Sequence, residues 1–274
     1  MHTVTVQGVR VPWILYGTAW KEDRTTDLVV EALEAGFRGI DTANQRKHYV
    51  EADVGRALAL AGEPRDHLFV QTKFTFAADQ DHRLPYPRGA SVPEQVEQSC
   101  SSSCRHLGVE RLDALLLHGP RHGHGLTDDD RAVWTQFEVL HRRGVVGLLG
   151  VSNVTVEQLE LLAAHAEIAP ALVQNRCHAK DGWDREVRAW CLDHGARYQG
   201  FSLLTANQAE LGTPAVAAIA RRHGRTVPEV VFAFARQSGI LVLTGTSDRA
   251  HMKADLSAAQ LILDPTEVRT LLEG

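Results

Sequence analysis

Eight short runs rich in Val, Leu and Ile alternate along the chain with longer amphipathic segments, and this alternation constrains the fold most. The apolar runs predict strands at 13–17, 38–42, 68–73, 112–118, 146–151, 171–175, 197–202 and 240–244. The amphipathic segments predict helices near 24–36, 51–61, 92–107, 127–143, 155–167, 184–194, 213–236 and 265–273. Eight strand–helix units in about 250 residues favour a closed, parallel (β/α)8 barrel over an open doubly wound sheet.

Two details refine this prediction. Residues 3–11 alternate with a period of two around Gly8, which predicts a β-hairpin that caps the bottom of the barrel. Pro228 lies inside the long segment 213–236, so we expect two helices there. No shift in composition marks a domain boundary, and we expect residues 1–274 to form one barrel domain.

Composition and charge exclude several classes of function. The formal net charge is −5 and no dense block of Lys and Arg occurs, which argues against a nucleic-acid partner. No apolar run approaches the roughly 18 residues of a membrane span, and the N-terminal sequence lacks the regions of a signal peptide. Four cysteines are too few for a disulfide framework. We therefore expect a cytoplasmic, monomeric protein.

Three polar residues stand at the ends of successive predicted strands. Asp41, Lys73 and His118 end the second, third and fourth strands of the predicted barrel. In such barrels the chemistry lies at the C-terminal ends of the strands, so these side chains are expected to converge on one pocket. The alternative is a structural Asp–Lys ion pair beside a histidine whose hydrogen bonds are satisfied.

The sequence around these strand ends resembles the aldo-keto reductases from about Gly17 to about Leu256. The motifs that carry the resemblance are Gly36-Phe-Arg-Gly-Ile-Asp41-Thr-Ala, Leu68-Phe-Val-Gln-Thr-Lys73, Leu115-Leu-Leu-His118, Gly150-Val-Ser-Asn153 and Val173-Gln-Asn175. The resemblance implies a (β/α)8 barrel that reduces aldehydes and ketones with a nicotinamide cofactor. It also implies an Asp, Tyr, Lys and His catalytic set, of which Asp41, Lys73 and His118 are directly present.

The catalytic tyrosine is displaced relative to the family pattern. The family usually places it five residues after the aspartate, where this chain has Arg46. Tyr49 follows in the stretch Asn44-Gln-Arg-Lys-His-Tyr49, which is similar to a stretch found in a subgroup of the family. We assign Tyr49 as the general acid; the alternative is a surface residue at the start of a helix.

These residue types suggest how a carbonyl is reduced. Hydride attack produces an alkoxide, which needs a proton donor, and a free phenol has a pKa of about 10. We expect the Lys73 ammonium to lower the pKa of Tyr49, and Asp41 to hold and partly balance Lys73. His118 is expected to hydrogen-bond the carbonyl oxygen and fix its approach.

The resemblance also implies a cofactor site. Ser152, Asn153 and Gln174 are similar to the set that binds the nicotinamide carboxamide, and Phe201 stands where the family has an aromatic ring stacked on the nicotinamide. Gly245, Thr246 and Ser247 are expected to cradle a phosphate at the start of a helix. The remaining members of the implied site are Gly17, Thr18, Ser202, Leu203, Arg249 and Asp255.

The choice between NADP(H) and NAD(H) depends on the segment after the eighth strand. The family clamps the 2′-phosphate of NADP(H) with a Lys and an Arg, which Thr244 or Gly245 and His251 replace here. Arg249 and Lys253 lie close by and offer a substitute positive charge. We expect NADP(H) to be preferred, with weaker discrimination against NAD(H) than in the family at large.

The substrate is expected to be a small-molecule carbonyl compound held by an apolar wall. This wall is predicted from the aromatic residues on loops of the active face, which are Trp20, Phe74, Phe76, Tyr86 and Trp183. His122 is expected to lie near the pocket as well. The chain ends at Gly274, soon after the last predicted helix, so we expect a more open pocket than in relatives with a long C-terminal loop. Residues 75–91 and 119–128 would then recognise bulky or aromatic carbonyls.

Two rival functions remain open at this point. One is a barrel that binds a nicotinamide nucleotide as a regulatory subunit without strong catalysis. The other is a metal-dependent hydrolase, suggested by the spacing of His118, His122 and His124. No second His-x-His occurs at another strand end, so we expect no metal site.

Overall fold

A computed structural model gives the structure of residues 2–273, and ten strands and eleven α-helices lie within this range. The strands are β1 Thr3–Val6, β2 Val9–Pro12, β3 Ile14–Gly17, β4 Gly39–Asp41, β5 Phe69–Phe74, β6 Leu112–Leu117, β7 Val146–Ser152, β8 Leu172–Arg176, β9 Arg197–Phe201 and β10 Leu241–Thr244. The helices are α1 Thr25–Ala35, α2 Glu51–Ala61, α3 Val92–Leu107, α4 Asp128–Arg142, α5 Val156–His165, α6 Arg185–Asp193, α7 Gln208–Leu211, α8 Pro214–His223, α9 Val227–Gln237, α10 Arg249–Ser257 and α11 Pro265–Glu273.

The strands β3 to β10 close into a parallel barrel in the order β10-β3-β4-β5-β6-β7-β8-β9. The predicted (β/α)8 barrel is therefore confirmed. The first two strands pair antiparallel, with Val6 opposite Val9, as the alternation around Gly8 predicts. Gly8 has a φ of +82°, a left-handed conformation that glycine adopts without steric cost.

The strand register divides the barrel into two apolar cores and one polar layer. Outward-facing side chains of the strands pack against the helices in the larger core. Inward-facing side chains such as Leu15, Phe69 and Leu172 fill the lower interior, and Val6 and Val11 of the hairpin pack on them. The hairpin thus closes the bottom of the barrel, and polar residues occupy the interior only near the opposite end.

Local sequence signals set several helix boundaries. A Ser or Thr and an acidic or amide residue three positions later form reciprocal capping boxes at the starts of α3, α4, α5 and α9. Pro228 lies in the first turn of α9, where its missing N–H has no helical partner to lose. The segment 213–236 is accordingly two helices, as expected.

Two parts of the structure differ from the sequence-based expectations. Residues 249–257 form α10; a helix start was expected after Ser247, but the amphipathic segments predicted no bounds for this helix because its apolar positions are few. Phe74 belongs to β5 rather than to the loop that follows it. Within residues 2–273, no helix combines the length and the apolar character needed to cross a membrane.

Candidate active site

A buried ion pair lies at the C-terminal end of the barrel interior. Asp41 ends β4 and Lys73 stands near the end of β5, and their side chains are 5% and 1% exposed. The Lys73 ammonium donates to Asp41 Oδ1 at 2.6 Å and to the Thr42 carbonyl at 3.0 Å. A charge this deeply buried is tolerated only with such partners. The convergence expected from the strand-end positions is present.

Three glutamines surround this pair, and two of them were not expected at the site. Gln71 and Gln174 donate their side-chain N–H groups to Asp41 Oδ1 at 2.6 and 3.0 Å. Both also donate to Gln199 Oε1 at 2.9 Å, and Gln199 donates back to Gln71 Oε1. A signal for Gln71 was present in the sequence: an amide two positions before Lys73 in a strand that is buried throughout.

Tyr49 lies beside the ion pair, on the segment between β4 and α2. Lys73 Nζ is 5.6 Å from the centre of its ring, and the His118 ring is 5.9 Å away, edge to face. The longer turn after Asp41 therefore does bring Tyr49 to the candidate catalytic group. Burial, and next the negative charge of Asp41, raise the pKa of Tyr49 well above its usual value. The pKa shift of Tyr49 is thus upward, opposite to the lowering expected from Lys73, whose ammonium donates to Asp41.

His118 is a neutral imidazole at physiological pH. Burial, followed by the charges of Lys73 and His48, lowers the pKa of His118 to about 3. Thr75 Oγ1 lies 2.7 Å from His118 Nδ1. If the Thr75 hydroxyl donates to Nδ1, the proton of the neutral ring is on Nε2, where it can be donated to a ligand. Thr75 follows β5 directly and was not singled out from the sequence.

The ends of β7, β8 and β9 bring together most of the expected nicotinamide-binding residues. Asn153 has a φ of +54° and donates its amide N–H to the His118 carbonyl at 2.7 Å. Ser152 is buried beside it. The side-chain nitrogen of Gln174 donates hydrogen bonds to Asp41 and Gln199, while its Oε1 accepts no hydrogen bond from the described part of the chain. Phe201 is half-buried at the end of β9.

Several expected cofactor residues have other contacts. The Thr18 side chain is fully buried and donates to the Asp41 carbonyl. Leu203 is 1% exposed and packs in the core. Asp255 is buried and accepts from the Thr244 hydroxyl at 2.8 Å, and burial raises the pKa of Asp255 to about 6. These side chains are therefore engaged within the protein, and a cofactor contact through these three residues stays a prediction. Gly17 and Ser202 remain half-buried at the strand ends.

The start of α10 does not offer a free helix terminus. The Asp248 carboxylate accepts from the amides of Ala250 and His251 and so caps the helix. The phosphate cradle expected from Gly245, Thr246 and Ser247 therefore faces a negative charge. All three residues lie in the accessible segment that precedes the helix.

Two cations lie near this segment. The Arg249 guanidinium is 2.8 Å from Glu34, in a pair whose side chains are each about half exposed. Lys21 donates to the Gly245 carbonyl at the end of β10, although sequence analysis passed over it. Burial, and next the charge of Arg24, lower the pKa of Lys21.

The expected aromatic substrate wall is not present as such. Four of its five members are at most 4% exposed; they are Phe74, Phe76, Tyr86 and Trp183. Phe74 packs against both Phe76 and Tyr86, and the Trp183 indole donates to the Leu271 carbonyl. These rings fill space beneath the loops because apolar area is most stable when removed from water.

Only Trp20 of that set is exposed. It is 68% exposed, has a φ of +61° and packs on the His48 ring with 3.8 Å between ring centres. His122 and His124 are also exposed. Over residues 2–273, no three His, Cys, Asp or Glu side chains are arranged to hold a metal ion.

Known proteins resemble this chain over most of its length. The model of the Aldo/keto reductase family matches residues 13–273. Glyoxal reductase of Bacillus subtilis (strain 168) is 29% identical over 238 residues, which cover 86% of this chain and 79% of that protein. An aldo/keto reductase from Brucella melitensis has a TM-score of 0.85 at 26% identity, covering 99% of this chain and 98% of that one.

A more distant structure shares the fold. The aldo-keto reductase of Bombyx mori in complex with NADP has a TM-score of 0.83 at 20% identity, over 99% of this chain and 92% of that chain. The family match spans most of the sequence, so the chain belongs to the aldo/keto reductase family. Its chemistry is the reduction of carbonyl groups, and the resemblance carried by the strand-end motifs is confirmed.

Proposed function

We propose that this protein reduces an aldehyde or ketone with a nicotinamide cofactor and that Tyr49 donates the proton. The observation that carries the proposal is the convergence of a neutral phenol, a neutral imidazole and a buried Lys–Asp pair. These groups come from β4, β5, β6 and one loop, and a purely structural ion pair needs neither Tyr49 nor His118.

The residues at the ends of β7 to β9 fit a nicotinamide ring with its carboxamide. Gln174 Oε1 is an acceptor without a protein partner within residues 2–273, which suits the carboxamide N–H₂. Asn153 and Ser152 offer further polar groups beside it, and Phe201 offers an aromatic face. When bound, the reduced nicotinamide supplies the hydride.

The proton side of the reaction belongs to this chain's own residues. His118, held by Thr75, donates its Nε2–H to the carbonyl oxygen and orients it. Tyr49 then gives its phenolic proton to that oxygen as negative charge develops. The raised pKa of Tyr49 keeps the phenol protonated over the ordinary pH range, so Tyr49 always carries a proton that it can donate. An alkoxide is a stronger base than a phenolate, so the transfer remains favourable.

We propose NADP(H) as the preferred cofactor, with weak discrimination against NAD(H). The Bombyx mori relative was crystallised with NADP. In this chain Lys21 and Arg249 are the cations near the end of β10, but Arg249 is paired with Glu34. The Asp248 carboxylate repels a phosphate at the start of α10. The expected discrimination is accordingly lower than a dedicated Lys–Arg clamp gives.

The same site favours small, polar carbonyl substrates over bulky aromatic ones. Four of the five rings expected to form an apolar wall are buried, and the exposed one is Trp20, which packs on His48. A relative of this chain is named as a glyoxal reductase, which acts on a small dialdehyde.

We also propose that the protein is a cytoplasmic monomer; its four cysteines are unpaired.

A binding and turnover experiment tests this proposal. NADPH is expected to quench the tryptophan fluorescence of the purified protein and to be oxidised when glyoxal or another small aldehyde is added. Bound zinc, measured on the same sample, should be far below one ion per chain. Stoichiometric zinc without NADPH binding would contradict the proposal, and NADPH binding without turnover on any carbonyl would favour a regulatory barrel.

A further inference from the structure

The upper interior of the barrel holds two glutamines where such barrels usually carry branched apolar side chains. Gln71 on β5 and Gln199 on β9 are both completely buried. Burying two amides is unfavourable unless their hydrogen bonds are made, and an apolar pair would fill the same space more simply. The pair therefore calls for an explanation beyond packing.

The hydrogen bonds of the two glutamines form one directed set. Gln71 donates to Asp41 Oδ1 at 2.6 Å and to Gln199 Oε1 at 2.9 Å. Gln199 donates in return to Gln71 Oε1 at 2.9 Å. Because a carboxylate offers only acceptors, Asp41 determines which end of the Gln71 amide faces it, and Gln199 holds the opposite end.

The charge of Asp41 matters for Tyr49. Asp41 on β4, Lys73 on β5 and His118 directly after β6 lie around Tyr49, and His48 is its neighbour in sequence. Asp41 disfavours loss of the Tyr49 proton, because it places a second negative charge near a developing phenolate. Any donor that points at Asp41 Oδ1 reduces this effect.

We propose that Gln71 and Gln199 are positioning residues for the proton donor: they keep an amide N–H on Asp41 and so weaken the negative potential that Asp41 imposes on Tyr49. The inference rests on the proposed role of Tyr49. Lys73 and Gln174 also donate to Asp41 Oδ1, at 2.6 and 3.0 Å, so Gln71 supplies one of three donors and Gln199 holds its amide in place.

The test is the double substitution Gln71→Leu with Gln199→Leu, which removes both amides together; Gln174 loses its contact with Gln199 Oε1 but keeps its hydrogen bond to Asp41 Oδ1. Single-turnover carbonyl reduction is expected to slow by about threefold to tenfold, the size of effect of one hydrogen bond between neutral groups, because the amides act on Tyr49 only through Asp41. The solvent deuterium isotope effect on that step should increase, because proton donation becomes more limiting. The Kd for NADPH, measured by fluorescence quenching without turnover, should stay the same.

A matched control separates this role from the general cost of losing a buried amide. Gln158 on α5 is also completely buried, and it donates to the carbonyls of His122 and Gly125, away from Asp41. Gln158→Leu should lower stability without changing the isotope effect. An unchanged isotope effect in the double variant, or an equal increase in Gln158→Leu, would overturn the proposal.

Two further variants keep the test decisive. Gln71→Asn retains an amide on a shorter side chain, so the hydrogen bond to Asp41 is lost. The isotope effect should increase in this variant too, and it replaces the double variant if that one does not fold. Tyr49→Phe, measured in parallel, separates a failure of the proposed function from a failure of the inference about the glutamines. If Tyr49→Phe retains activity, the proposed function fails; if only the glutamine variants leave the isotope effect unchanged, this inference alone fails.

Discussion

Two parts of the barrel mouth differ in how their functional groups are held. On the side of β4, β5 and β6, Asp41 and Lys73 belong to the strands and are almost fully buried. On the side of β10 and α10, residues 245–250 lie in an accessible segment, and Arg249 meets only an exposed partner. Strand register therefore fixes the first group of side chains, whereas the second can be rearranged at little energetic cost.

Breaking the buried ion pair should have the largest effect. Lys73→Met leaves Asp41 buried without its cation, which is expected to cost about 3 to 5 kcal/mol of unfolding free energy and most of the activity. Urea unfolding measures the change. As a control, Arg56→Met breaks the 2.5 Å pair with Asp53, whose arginine is 63% exposed, and should cost less than about 1 kcal/mol. Equal costs for both variants would contradict the expected difference between a buried and an exposed ion pair.

Charge changes at the start of α10 should alter cofactor preference rather than stability. Arg249→Ala is expected to lower the ratio of kcat/KM for NADPH over NADH by about tenfold or less, while Asp248→Asn should raise it. Glu34→Gln, which frees Arg249, should raise it too. A wild-type ratio above about a thousand that none of these variants changes would mean that other residues hold the phosphate.

The contact between Thr75 and His118 offers a finer test of the strand side. Thr75→Val keeps the shape of the side chain but removes the group 2.7 Å from Nδ1, so the imidazole is free to change tautomer. We expect kcat/KM for carbonyl reduction to fall by about tenfold, with NADPH binding unchanged. Thr26→Val, which removes a hydroxyl on α1 that bonds the Asp53 carbonyl, is the control. Equal activity in both variants would remove Thr75 from the account.

Asp255 should affect stability alone. Its pKa is raised to about 6 by burial, so the folded protein holds this proton more tightly than the unfolded chain does. The stabilisation from protonation is present at low pH and is lost as pH rises through about 6. Asp255→Asn should therefore be more stable than wild type by about 1 to 3 kcal/mol at pH 8, with little difference near pH 4. A constant difference at all pH values would contradict the assignment.

The sequence predicted what the strand register determines. Asp41, Lys73 and His118 were placed correctly because hydrophobic alternation locates strand ends, and parallel strands bring those ends together. Burial of loop side chains could not be predicted in this way, because Phe76, Tyr86 and Trp183 lie in segments whose path depends on tertiary packing. Periodicity carries no information about that path.

Side-chain pairing across the barrel could not be predicted from the sequence either. Gln71 and Gln199 are 128 positions apart, and nothing local indicates that they meet. A helix start was expected after Ser247, but the few apolar positions of α10 did not define its first residue, so Asp248 was not recognised as the helix cap. These omissions concern hydrogen-bond partners, which depend on geometry rather than on residue pattern.

The most direct measurement of the central claim compares Tyr49→Phe with Tyr86→Phe. Tyr86 is the control because its ring is buried close to the site and its hydroxyl donates to the Thr75 carbonyl at 2.5 Å. Tyr49→Phe is expected to bind NADPH as wild type does and to reduce carbonyls about 10²- to 10⁴-fold more slowly, whereas Tyr86→Phe should keep most of its activity. A Tyr49→Phe enzyme that stays active while Tyr86→Phe loses activity would contradict the account.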